Sequence, residues 1–252
     1  MNIQEIYKKN KTDLFFSDNY NVKNHRNKLI SIFENENFDK KNNESIKNVD
    51  LKNFIDFKYK YFKPEEKSLI KYNEDKSYTI SSVNGQCEQY NDKNIEIKKL
   101  SYEEYNFFRS NNLISKNDHF VNLNSLFLNS GFKIVIKKNN KIKIKISNIV
   151  TDDNLTIFQN NVIFCEEGSS VTLIEEYENK NNSMSNVLNV FKLEKNSSLN
   201  HFILQDISSN HNLIMTSHSS CKENSFYKQR VYNFSDSYVR NFHFSELNEI
   251  NS

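Results

Sequence analysis

From residue 138 to about residue 244, short apolar runs alternate with brief polar breaks at a regular interval. Ile142, Ile144 and Ile146 are interleaved with Lys141, Lys143 and Lys145, the period-2 pattern of a strand with one face buried and the other in water. Further β-rich runs follow at Val171 and Leu173, at 199–204 and at 226–234, and others precede the breaks at 132–136, 162–165, 187–193 and 213–215. Aligning Lys138-Asn139-Asn140, Glu166-Glu167-Gly168, Glu194-Lys195-Asn196 and Lys222-Glu223-Asn224 puts Gly or Asn at 140, 168, 196 and 224, which are equally spaced. Gly and Asn tolerate φ > 0, so each position predicts a sharp bend between two strands. Units of about 20–50 residues that cannot bury their apolar faces alone stack into a solenoid. The repeat therefore predicts a mainly β fold, a parallel β-helix over 131–252. Short strands at intervals of about 8–12 residues also suit a β-sandwich, although that fold ordinarily uses more turn glycines than Gly85, Gly131 and Gly168.

The preceding part, 1–130, reads as a helical and mixed N-terminal domain. Residues 1 to about 62 carry helical spacing: Leu29, Ile32 and Phe33 share a face, and Asp50 is placed to cap a segment with Leu51, Phe54 and Ile55. The polar stretch 34–44 between them predicts a loop. Phe57, Tyr59, Tyr61 and Phe62 form a packing cluster closed by Pro64. Residues 77–100 predict a small sheet or hairpin with a turn at Asn84-Gly85. Ser101-Tyr102-Glu103-Glu104 is a capping box with Leu100 and Tyr105 as its hydrophobic staple, predicting a helix over 102–110. A second helix is predicted from about Asp118 to Leu128, ending near Gly131.

Composition narrows the function classes. The 252 residues carry 34 Lys+Arg and 32 Asp+Glu, a formal net charge of +2, so no strong field points to nucleic acid. The lysines of 137–145 read as the solvated face of a strand. No apolar run of about 18 residues occurs and the first 30 residues lack a signal-peptide core, which predicts a cytoplasmic or organelle-interior protein with no membrane partner. Cys87, Cys165 and Cys221 are distant and odd in number, as reduced thiols are.

Candidate chemistry is sparse. Cluster-binding thiolates lie close together, as in C-x2-C, and these three cysteines do not; Cys165, in a strand before a turn, reads as a buried structural thiol. His211, His218 and Cys221 are the densest group of soft ligands and the one candidate metal set, though their spacing fits no familiar site. His201 and His243 fall in predicted strands and read as wall residues. A carbohydrate-active β-helix would need carboxylates converging on one face. The pairs Asp152-Asp153, Glu166-Glu167 and Glu175-Glu176 are adjacent, so within a strand they point to opposite faces, and no acid recurs at the repeat interval in strand positions. No Walker phosphate loop is present.

Several segments, in order, resemble the SufD branch of the SufB/SufD family. The stretch 44–51 is similar to the family's acidic-Trp-Lys-Tyr-Thr-Asp-Leu signature, with Ile46 in place of the tryptophan. Val83-Asn84-Gly85 followed by 95–100 looks like its Val-Asp-Gly turn and later strand, and Leu123-Asn124-Ser125-Leu126-Phe127 with Gly131 is similar to its Leu-Asn-x-Ala-Phe and glycine. The longest similarity runs over 162–175, and Leu199-Asn200-His201-Phe202-Ile203-Leu204-Gln205 resembles the Leu-x-His-Tyr-x-Leu-Gln strand. The resemblance covers 20–250 and implies a right-handed parallel β-helix behind a helical region. It implies a non-catalytic scaffold subunit that pairs with a SufB-like paralogue and a SufC-like ATPase in the SufBCD complex. The complex, not this chain, would hold the iron-sulfur cluster, and no cofactor would be bound firmly here. Family members continue beyond residue 252, with further rungs and the helices that contact SufC. The expectation is therefore a C-terminally shortened β-helix whose open end is covered by another polypeptide, or else a fragment without function. A β-helix carbohydrate-active enzyme remains the alternative.

Overall fold

The computed structural model describes residues 3–12, 14, 16–35, 60–61, 70–73, 77–105, 118–179, 181–208 and 210–247. Its centre is a parallel β-solenoid of about four turns made from two sheets that the chain visits in alternation. One sheet contains β6 (Ser130–Ile136), β8 (Leu155–Cys165), β10 (Ser183–Leu193), β12 (His211–Cys221) and β14 (Val239–Leu247), in that order. The other contains β7 (Lys141–Ile149), β9 (Ser170–Tyr177), β11 (Ser198–Gln205) and β13 (Phe226–Asn233). The repeat in the sequence is thus a repeat in space. Cys165 stands beside Leu193, and Leu193 beside Cys221, one repeat on in each case. The interval is 28 positions, as between the hydrogen-bonded Asn161 and Asn189.

The length of a coil is not constant. Asn129 and Phe158, joined where β8 lies beside the start of β6, are 29 positions apart. Ser219 and Ser245, partners in β12 and β14, are only 26 positions apart. The longer first coil corrects the alignment of the turns. The left-handed residues of these bends are Asn139, Gly168, Asn196 and Asn224, with φ of 58°, 69°, 58° and 53°, so Asn139 rather than Asn140 takes the first bend. Each bend closes with a backbone hydrogen bond, as from Ser169 N–H to Glu166 C=O at 3.1 Å. The first three also donate to the next coil: Asn139, Gly168 and Asn196 N–H reach Glu167, Lys195 and Glu223 C=O at 3.0, 3.0 and 3.1 Å. Gly168 has a second reason to lack a side chain, because a Cβ there would lie 2.2 Å from Asn139 Oδ1.

Burial follows the two faces. β7 alternates as its Lys/Ile pattern predicts, and β9 and β11 alternate likewise, since the outer face of their sheet meets solvent. β8, β10 and β12 are buried on both faces. Their inner side chains join the solenoid core with Ile134, Ile144, Leu173, Phe191 and Leu199. Their outer side chains are covered by α1 (Ile3–Asn10), α2 (Tyr20–Asn35) and α3 (His119–Phe127): Phe158, Met184 and Ile214 pack against Tyr7, Leu29, Phe33, Phe120 and Leu123. Asn124 Nδ2 fixes the docking of α3 by donating to Gln159 and Asn186 C=O at 3.0 and 2.8 Å.

The N-terminal strands extend these same sheets. β3 (Ser77–Val83) pairs in parallel with β7, and β2 (Ile70–Asn73) runs antiparallel to β3. β5 (Ile95–Lys99) runs antiparallel to β6, and β4 (Tyr90–Asn91) to β5. The hairpin predicted in 77–100 is therefore β4/β5, and β3 lies in the opposite sheet. The helical reading of 1–62 holds for α1 and α2. It fails at β1 (Lys60–Tyr61), a short strand parallel to β8 drawn from the aromatic run, whose composition favours a strand. The Asp50 cap, the rest of the aromatic cluster, the 44–51 signature and the end of the 102–110 helix lie outside the described residues.

The predicted capping box is present, and the helix expected from about Asp118 also has a cap. Glu104 N–H donates to Ser101 Oγ at 3.3 Å and Ser101 N–H to Glu104 Oε2 at 3.0 Å, while Leu100 and Tyr105 are buried together. Asp118 Oδ1 accepts from Phe120 and Val121 N–H at the start of α3. No helix among the described residues is long and apolar enough to cross a membrane.

Candidate functional site

Inside the solenoid, equivalent positions change chemistry along the axis. One inner row reads Phe132, Asn161, Asn189, Ser217, His243, and the row facing it reads Ile144, Leu173, His201, Gln229. Along these two rows the side chains pass from apolar to polar, while Leu213 and Met215 keep an apolar cluster with Val187 and Ile203 in the later coils.

The polar side chains interlock. Gln159 Nε2 donates to Asn161 Oδ1 at 2.9 Å, Asn161 Nδ2 to Asn189 Oδ1 at 3.0 Å, and Asn189 Nδ2 to Glu175 Oε2 at 3.1 Å. Glu175 Oε2 also lies 3.2 Å from His201 Nε2, with both side chains essentially inaccessible, and 3.5 Å from the Tyr177 hydroxyl. His201 Nδ1 is 3.0 Å from the Tyr227 hydroxyl, and the Tyr227 ring stacks on His243 at 5.2 Å. Burial, then the Glu175 carboxyl, hold the Tyr177 phenol well above its ordinary range, and the same two causes act on Tyr227. A buried carboxyl with these partners is fixed in place, since removing any one would strand the others. The arrangement positions the walls of the last coils against each other.

Sequence reasoning placed His201 in a wall, which is where it stands, and missed that it faces Glu175. The signal was parity. Val171, Leu173 and Glu175 share a face of β9, so once Val171 and Leu173 are assigned inward the carboxyl goes in with them. Glu176 points out, as the adjacency argument requires, and pairs with Lys145 at 2.8 Å.

The candidate metal set is distributed along β12. His211 Nδ1 meets Ser183 Oγ at 2.6 Å, His218 Nε2 lies 3.6 Å from Glu246 Oε1, and Cys221 joins the inner core with Cys165. Among the described residues no three His, Cys, Asp or Glu side chains are grouped as a metal ion would need. Burial pushes the Cys165 thiol up to about 12 and raises Cys87 and Cys221 as well, so none is disposed to form a thiolate.

The outermost coil has a different character. Among the described residues β13 pairs only with β11 and β14 only with β12. Phe226, Tyr232, Phe234 and Leu247 stand exposed on this coil, at 54, 43, 72 and 67% of their surface.

Residues 148–252 match the family model described as SUF system FeS cluster assembly, SufBD core domain. The matched segment begins at the end of β7 and takes in β8 to β14. These coils are thus similar to a domain of the SufB/SufD family, and the match does not separate SufD from SufB. No curated protein and no solved structure matches the chain.

Proposed function

We propose that this chain is a SufD-type scaffold subunit that acts in iron-sulfur cluster assembly within a SufBCD-type complex and turns over no substrate itself. The observation that carries the reading is the family match: residues 148–252, which hold β8 to β14, are similar to the SufBD core domain. A SufB-like paralogue is the partner this reading assigns. Nucleotide hydrolysis belongs to a SufC-like ATPase, and the cluster is cargo of the assembly. The fixed, buried setting of Glu175 and His201 supports a structural role for the polar interior. Neither the one separated soft-ligand group nor the outward-inward division of Glu175 and Glu176 favours carbohydrate chemistry or a resident metal.

Co-expression of the tagged chain with SufB and SufC homologues, followed by affinity capture and size measurement, tests the proposal. Co-purification with the SufB homologue in a defined ratio is the expected result. A chain recovered without either homologue sinks it.

A further inference from the structure

A cavity of about 670 Å³ lies between α1, the residues after it and the start of α2. Its volume falls within the range of about 300–1,000 Å³ of small-molecule sites. Lys8 and Lys11 line one side, Lys23 and Arg26 the other, and Asp18 is the single acid among the described lining residues. The whole chain nearly balances its charges, 34 basic against 32 acidic, so four cations around one concavity are a local concentration. Lys8, Lys11 and Lys23 are exposed and can turn their ammonium groups to an occupant, while Arg26 is buried in the wall. The first turn of α2 borders the cavity. It carries no acidic residue, and its cap is the neutral Asn19, whose Oδ1 accepts from Asn21 and Val22 N–H. Those amides are therefore occupied, and the positive charge at the cavity is that of its side chains. Tyr7 and Ile30 supply an apolar wall beside the charged one.

We propose that this cavity binds a phosphate-bearing small molecule, with Lys8, Lys11 and Lys23 on the phosphate oxygens. Lysines on flexible stems are suited to a multiply charged, rotationally forgiving group of this kind. Asp18 faces the same space and repels the anion, which gives the site an internal control. The inference is independent of the scaffold reading, because α1 and α2 precede the segment that matches the family model.

Titration calorimetry of the full chain with pyrophosphate and with ATP tests it. The expected result is saturable one-site binding of at least one probe. That binding should weaken about tenfold in Lys8→Gln/Lys23→Gln, a loss of about 1.4 kcal/mol, and tighten in Asp18→Asn. All three positions are exposed, and unchanged thermal melts will show that the variants fold. No saturable heat with either probe, or equal affinity in the double variant, overturns the assignment.

Discussion

Arg240 Nη2 donates to Asp118 Oδ2 at 2.8 Å, joining residues 122 positions apart in the chain. Asp118 is also the cap of α3, so one carboxylate closes the helix with Oδ1 and holds β14 with Oδ2. The Arg240 guanidinium lies over the Phe120 and Phe242 rings, 4.8 and 5.1 Å from their centroids. The last coil is thereby latched to the helical layer. Truncating one partner of a buried ion pair costs about 3–5 kcal/mol, so Arg240→Ala should lose about 3 kcal/mol. Asp118→Ala should lose more, because the cap goes too, at about 1 kcal/mol. Urea unfolding of both variants checks this order, and equal losses would contradict the double duty of Asp118.

Glu175 should prove costlier to remove alone than together with the Tyr177 hydroxyl. The neighbours in register are Ile146 and Ile203, so an aliphatic side chain suits the place sterically. Glu175→Leu strands Asn189, Tyr177 and His201, and a buried group left unsatisfied costs about 1–3 kcal/mol. Adding Tyr177→Phe, which removes a stranded hydroxyl and leaves the Asn161–Asn189 hydrogen bond in place, should recover part of the loss. Additive losses in denaturant midpoints would show that the groups do not act as one network.

Stability should fall as the solution is acidified through the histidine range. Burial holds His211 and His218 at about 4, below the ordinary value of about 6.5. Between those values the unfolded chain takes up protons that the native state excludes. Stability present above about pH 6.5 is therefore lost as pH drops towards 4, by up to about 3 kcal/mol per ring. Urea midpoints near pH 7.5 and pH 5 should differ, and the difference should shrink in His211→Gln/His218→Gln. An unchanged difference in that variant would refute the assignment.

The turn positions should separate by residue type. Gly168→Ala is predicted to cost about 1–3 kcal/mol through its left-handed backbone, with the clash against Asn139 added. Asn196→Gly should be tolerated, since glycine adopts the same conformation freely, whereas Asn196→Val should resemble Gly168→Ala. Thermal melts of the three variants give the comparison, and a stable Gly168→Ala would exclude the steric argument.

Much of this fold can be read from local pattern. The isoleucines of β7, the capping box at Ser101 and the helix expected from about Asp118 each depend on residues within a few positions, and each stands where its pattern puts it. What escaped depends on register. Two adjacent asparagines made the first bend ambiguous, and only the longer first coil decides for Asn139. The parallel pairing of β3 with β7 reaches across the whole of α3 and β4 to β6, and nothing local in Ser77–Val83 announces its partner. The Glu175–His201 approach was hidden for the same reason: the two residues sit in different coils and are not equivalent positions, so the repeat did not align them.

The passage of the interior from Ile134, Ile144 and Ile146 to Ser217, Gln229 and His243 gives the solenoid a direction of stiffness. Coils cohere through nearest-neighbour contacts, so cohesion is a local property along the axis. Aliphatic coils next to β3 and β5 form the rigid anchor. The coil of β13 and β14, whose side chains are mostly exposed, holds by fewer buried apolar groups, so its amides should exchange first. Exchange protection should therefore rise from β14 towards β6, a gradient of rigidity along the axis.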